Sequence, residues 1–237
     1  AFEADGNARR LIAGRARLVD EALREVWQQL NVPAGIALAA VGGYGRGELY
    51  PASDVDLMLL LAKNQHDHIR DFAQALLNFF WDMGLEVGHS VRSLKDCVNE
   101  AKKDITVATN LMEARLLAGD PRLFAAMQKK THATSIWPSR KFFAAKWQEQ
   151  IERHHHFDDT AYNLEPNVKE GPGGLRDIQM IAWVTQRHFH AAALHDLVQL
   201  EFLSEAEYRA LVRGHNLLAQ VRCGLHYLAD HREDRLL

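Results

Sequence analysis

The 237 residues suffice for one large domain or two modest ones, and a composition that is 47% hydrophobic and 25% charged can bury a real core. Disordered, collagen-like and coiled-coil readings are thereby excluded. With 28 basic against 31 acidic residues the formal charge is −3, which leaves no global positive field for a nucleic-acid backbone or an anionic membrane.

The chain opens with a helical pattern over Asn7–Leu30, carried by Leu11, Ala22, Val26 and Leu30 and ended by Asn31 and Pro33. Gly35–Val41 and Asp54–Leu61 are short, apolar and bounded by turn residues, as buried strands are. A glycine-rich turn separates them. Ile69, Phe72, Ala73, Leu76, Leu77 and Phe80 then follow helical spacing, with Gly84 where a C-cap would stand. Leu85–Arg92 alternates as a third strand. From Ser93 onward no strand is expected, only helical patterns broken at Gly119-Asp120-Pro121, at Trp137-Pro138-Ser139 and across Asn163–Gly174. In the last helix Leu211, Leu218, Val221, Leu225 and Leu228 form a stripe expected to pack on neighbouring helices. The expected organisation is an α+β domain over residues 1–104 and an all-α domain over 105–237.

No apolar stretch approaches the length of a membrane span, and the first residues lack a signal-peptide core. Cys97 and Cys223 are too few for a disulfide framework or structural zinc and read as buried thiols of a reducing compartment, so the cytoplasm is the expectation. A start without Met and an end inside a helical pattern read as an excised fragment.

The chemistry concentrates in Val41-Gly42-Gly43-Tyr44-Gly45-Arg46-Gly47-Glu48-Leu49 and the following Ser53-Asp54-Val55-Asp56. Residues two apart on a strand share a face, so Asp54 and Asp56 present two carboxylates side by side. Such a pair repels itself and calls for a hard divalent cation, Mg²⁺ above all, as in enzymes that handle nucleotide phosphates. Gly42, Gly43, Gly45 and Gly47 let backbone N–H groups approach an anion, and Arg46 adds a forked donor suited to phosphate. The bland alternative is a tight turn followed by a capping and a surface aspartate. A Rossmann fingerprint fits worse because no long helix follows the glycines, and a P-loop fails for want of Gly-Lys-Ser/Thr. Ser53 is either a triphosphate ligand or a cap at the strand turn.

These residues resemble the DNA polymerase β-like nucleotidyltransferase superfamily, and more narrowly the bacterial PII uridylyltransferases. Gly84-Leu85-Glu86-Val87-Gly88-His89-Ser90-Val91-Arg92, Tyr162–Lys169 and Gly171–Ile178 are similar to signatures of that family. The resemblance implies a polymerase β-like domain with a small mixed sheet followed by a helical domain. It implies transfer of UMP from UTP to a tyrosine of the PII protein with release of pyrophosphate, by a two-metal mechanism using Mg²⁺ on Asp54, Asp56 and a third carboxylate, Glu86. Glu86 would also accept the tyrosine proton. Read by itself, Glu86 could equally be a solvent-facing strand residue, with Asp82 as its rival. Lys169, Gly173, Gly174 and Arg176 either meet phosphate at a helix N-terminus or belong to a rigid linker. The competing readings are a protein adenylyltransferase of the glutamine synthetase adenylyltransferase type and a non-catalytic nucleotide-binding regulatory module. A nucleic-acid-directed transferase is disfavoured by the net charge. The hydrolase and ligand-sensing domains of full-length family members have no counterpart in these residues.

The 13 histidines suggest no metal centre. His154, His155 and His156 diverge around a helix, His188 and His190 point to opposite sides, and His66-Asp67 and His195-Asp196 lack the separate partners of a phosphohydrolase site.

Overall fold

The computed structural model describes residues 6–30, 32–62, 72, 74–76, 78, 79, 86–132, 135–189 and 193–236. It resolves into two compact units, one comprising Ile12–Leu49 and Ser53–Ile136, the other Ala1–Leu11, Tyr50–Ala52 and Trp137–Leu237. The first unit thus extends past the expected boundary at Asp104, to Ile136.

In the first unit, α1 (Ala8–Gln29) buries Ala16, Val19, Leu23 and Val26 along one stripe. A four-stranded sheet follows, made of β1 (Ile36–Ala40), β2 (Val55–Leu61), β3 (Val87–Ser93) and β4 (Arg115–Gly119) in the order β3-β2-β1-β4. β1 runs antiparallel to β2 and β4, whereas β2 and β3 are parallel. A parallel pair needs a long crossover. The expected helix at Ile69–Phe80 with its Gly84 stop lies largely outside the described residues, as do Leu85, Asp82 and His66-Asp67. Within it, 72, 74–76, 78 and 79 are helical, and Phe72, Leu76 and Phe79 pack on the sheet core, Phe72 edge-on to Trp27 at 5.5 Å.

Alternation on β2 decides the layers. Val55, Leu57, Leu59 and Leu61 face the core shared with α1, while Met58 and Leu60 are buried on the other side, where Met58 Sδ lies 3.9 Å from Cys97 Sγ. Cys97 belongs to α3 (Leu94–Lys103), which is opened by a Ser93–Asp96 capping box, and burial pushes its thiol up to about 11. Between β1 and β2 a single helical turn, α2 (Gly42–Gly45), carries the glycine motif. α4 (Ile105–Met112) and α5 (Pro121–Lys130) flank β4.

β4 overturns the expectation that no strand follows Ser93. Arg115-Leu116-Leu117-Ala118-Gly119 contains no β-branched residue and reads as a continuation of α4. Pairing with the buried β1 overrides that local preference, and Gly119, at φ +90°, lies so close to Ile36 O that a side chain there would collide.

The second unit is built on α6 (Ser139–His155), α7 (Leu175–Phe189), the short α8 (Asp196–Gln199) and α9 (Glu205–Ala229). The face that α9 buries is Ala219, Arg222, Cys223 and His226. Of the expected stripe, Leu211, Leu218, Val221 and Leu225 are half-buried, whereas Leu228 is 83% exposed. Polar residues can take the inside because each is satisfied: Asp234 accepts from Arg222 Nε at 2.6 Å and pairs with His226 Nε2 at 3.2 Å. His226 Nδ1 accepts the Ala52 N–H at 3.2 Å, and the Arg222 guanidinium covers the Tyr50 ring at 4.1 Å. No described helix is long and apolar enough to cross a membrane.

Candidate active site

The end of β1 and the head of β2 are tied by Val41 N–H donating to Asp56 O at 3.0 Å. The chain then enters α2 at Gly42 with φ +57°, in the left-handed region open to glycine. Within the turn, Gly45 and Arg46 donate back to Val41 and Gly42, and Glu48 N–H reaches Gly43 O. The first N–H groups of so short a turn have no partner inside it.

Asp56 occupies a notch made by two glycines. In the parallel register it stands beside Gly88 of β3, where an added Cβ would lie 2.4 Å from Asp56 Oδ1. On the other side Asp56 Oδ2 is 3.2 Å, and Asn110 Oδ1 of α4 3.7 Å, from where a Cβ on Gly42 would sit. Asp54 precedes it by two residues, half-buried at the strand head, with Ser53 half-buried before it. The Ser53 hydroxyl makes no hydrogen bond among the described residues. A carboxylate pair with hard oxygen donors, in a notch that any larger residue at 88 would fill, fits a divalent cation such as Mg²⁺.

Glu86 is exposed one residue before β3, and its carbonyl accepts the Val55 N–H at 2.8 Å. Continuing the β2–β3 register by one position sets it opposite Asp54. Among the described residues no three acidic, histidine or cysteine side chains converge as a metal cluster. Asp54 thus stands one residue before β2, Asp56 within it, and Glu86 one residue before β3.

Arg46 donates from Nε to Glu48 at 2.9 Å and from Nη1 to Glu113 at 2.7 Å. Burial works against its charge, but the two carboxylates outweigh burial and hold the guanidinium protonated. Tyr44, 1% exposed, donates its hydroxyl to Asp20 Oδ1 at 2.6 Å, and burial together with that carboxylate raises its pKa far above the usual range. Arg115 holds the same aspartate through two bonds, at 2.6 and 3.0 Å. Asp20, Asn110, Glu113 and Arg115 carried no motif. Their only signal was a polar or charged side chain inside helical runs.

The Asn163–Asp177 loop, two ways open from sequence, carries a run of hydrogen bonds in its second half. Asn167 Oδ1 accepts the N–H groups of Lys169 and Glu170, Gly173 N–H donates to Asp177, and Arg176 pairs with Glu170 at 3.0 Å. Burial raises the Asp177 pKa, yet Arg153, the Gly173 N–H and His154 together hold it below the usual carboxylate range. These bonds tie the loop to itself and to α6 within the helical unit. His154 faces Asp177 while His155 and His156 are exposed, divergent as expected.

Residues 20–110 match the family described as Nucleotidyltransferase domain, and residues 141–237 the family described as GlnD PII-uridylyltransferase. Three proteins named bifunctional uridylyltransferase/uridylyl-removing enzyme align over 100% of the chain: those of Stutzerimonas stutzeri at 49% identity, Azotobacter vinelandii at 50% and Pseudomonas fluorescens at 50%. The chain spans 26% of the length of each.

Proposed function

The chain belongs to the PII-uridylyltransferase family of nucleotidyltransferases, and from that premise we propose that it transfers UMP from UTP to a tyrosine hydroxyl of the PII signalling protein, releasing pyrophosphate. The observation that carries the proposal is the Asp56 carboxylate held between Gly42 and Gly88 beside Asp54, in a chain half identical to proteins named uridylyltransferase.

In this reading Asp54 and Asp56 hold divalent metal, with Glu86 completing the set. When bound, a divalent cation such as Mg²⁺ would supply the positive charge that offsets the charge developing on phosphate oxygens during an in-line transfer. The backbone N–H groups of Gly42 and Gly43 and the Ser53 hydroxyl bind the triphosphate. Arg46 contributes there chiefly by bracing the turn, because Glu48 and Glu113 already balance its charge. Glu86, exposed at the strand head, accepts the proton of the incoming tyrosine hydroxyl. The Tyr–O–P bond forms as the bond from the α-phosphorus to pyrophosphate breaks. The two buried cysteines, Cys97 and Cys223, neither of them in a disulfide, support a reducing, cytoplasmic setting.

The test incubates the chain with Mg²⁺, purified PII and either labelled UTP or labelled ATP, and then locates the label. The expected result is a PII tyrosine labelled from UTP. Label from ATP alone turns the assignment to an adenylyltransferase, and nucleotide binding without transfer turns it to a regulatory module.

A further inference from the structure

We propose that Glu113, between α4 and β4, and Arg115, the first residue of β4, are positioning residues for nucleotidyl transfer that act through the Gly42–Glu48 turn. The inference rests on the nucleotidyltransferase reading above and deepens it.

A single helical turn rich in glycine has little stiffness of its own, because nucleation of a helix is unfavourable and glycine raises the entropy to be lost. Its geometry must come from outside. The segment Glu113-Ala114-Arg115 supplies it at four points. Glu113 O packs against Gly45, 2.4 Å from where a Cβ would be, so the two backbones touch without an intervening side chain. Glu113 Oε1 accepts from Arg46 Nη1 at 2.7 Å, and the Glu113 side chain is 4% exposed, so water reaches the pair only from the Arg46 side. Arg115 Nε donates to Gly45 O and Nη2 to Tyr44 O, both at 3.3 Å. The same guanidinium grips Asp20, which also takes the Tyr44 hydroxyl.

The orientation follows from helix polarity. Carbonyls of a helical turn point toward its C-terminal end and N–H groups toward its N-terminal end. With the Tyr44 and Gly45 carbonyls anchored on Arg115, the N–H groups of Gly42 and Gly43 are aimed the opposite way, at the end where Asp56 Oδ2 lies against Gly42. The clamp therefore sets the angle between the triphosphate-binding N–H groups and the metal-binding carboxylates. Misplacing reacting groups by about 1 Å costs on the order of 10²-fold in rate.

The test uses the full chain with Mg²⁺, UTP and PII, and compares wild type with Glu113→Gln, Arg115→Lys, Gly43→Ala and the double variant Glu113→Gln/Gly43→Ala. Measured are single-turnover UMP transfer, Mg–UTP affinity and the thermal midpoint. Glu113→Gln is nearly isosteric and carries the test even if Arg115→Lys fails to fold. Gly43→Ala is sterically admissible, since its nearest neighbours would be at 3.4 and 3.6 Å. The expected result is transfer roughly 10²-fold slower in Glu113→Gln at temperatures where it stays folded, with a double variant no more than about threefold slower than the slower single variant. Glu100→Gln, on an exposed ion pair with Lys103, should match wild type. Wild-type rates in Glu113→Gln, rate losses that multiply in the double variant, or a loss that tracks unfolding would each overturn the inference while leaving the functional reading intact. A wild-type chain that neither binds Mg–UTP nor transfers UMP would refute both.

Discussion

Replacing Gly88 by Ala should separate catalysis from stability. The new methyl would sit 2.4 Å from Asp56 Oδ1, about 1 Å inside ordinary van der Waals contact, whereas the carboxylate carbon would be at 3.6 Å. The obstacle is thus the tip of a side chain, which can swing away at little cost to the fold. Its swing is limited on the far side, where Oδ2 already lies 3.2 Å from the Cβ position of Gly42. Mg²⁺ tolerates little deviation from octahedral geometry at 2.0–2.1 Å, so moving one ligand oxygen by about 1 Å should slow transfer roughly 10²-fold, or about 2.7 kcal/mol of barrier. The assay is single-turnover transfer against Mg²⁺ concentration, with thermal melting of the same preparations. Gly14→Ala in α1 is the control: nothing lies within 4 Å of its Cβ position, so it should keep full activity and gain about 0.5–1 kcal/mol of stability. Near-normal turnover and Mg²⁺ dependence in Gly88→Ala would show that the Asp56 carboxylate is not held where the reaction needs it.

Asp54→Asn and Asp56→Asn should each abolish transfer while the thermal midpoint holds or rises, because each removes repulsion within a carboxylate pair; normal turnover in both would refute the metal assignment. Glu86→Gln should slow single-turnover transfer about 10²- to 10⁴-fold with Mg–UTP affinity nearly unchanged, and an unchanged rate would return Glu86 to the surface. In the helical unit, burial and then the Arg222 charge push the Lys169 ammonium down to about 8, only partly countered by Glu170. The unfolded chain holds that proton to about pH 10.4, so between these values it binds more protons and this group's contribution to stability should rise with pH. The buried Cys97 thiol, pushed up to about 11, acts in the opposite sense over part of this range, so the check is a comparison: denaturant midpoints from pH 7.5 to 10 should rise more, or fall less, in the wild type than in Lys169→Met.

The parts of the site legible in the sequence were those whose logic is local. Asp54 and Asp56 are two apart on an apolar strand, the glycines cluster in one turn, and both strands are bounded by turn residues. What escaped were contacts between distant segments. Asp20, Tyr44 and Arg115 meet only in three dimensions, and Glu113 finds Arg46 across 67 residues of sequence. β4 escaped because its residues favour a helix and only its neighbour makes it a strand. The buried face of α9 escaped for a related reason: hydrophobic spacing marks Leu228, but the inside belongs to Arg222 and His226, whose partners lie beyond the helix.

The position of β4 also sets an order of events. β1 and β2 are joined by the glycine motif itself, so their pairing closes a short loop, while β4 reaches β1 from far along the chain, with Arg115 opposite Ala40. Closing the longer loop costs more chain entropy and comes later in folding. Arg115 sits at the first position of that late strand and Glu113 two residues before it. A refolding chain would hence have its antiparallel β1–β2 pair, and both aspartates on it, before the turn between those strands acquires its final shape. The nucleotide-binding geometry is among the last things the domain makes, and the first it would lose if β4 detached from the edge of the sheet.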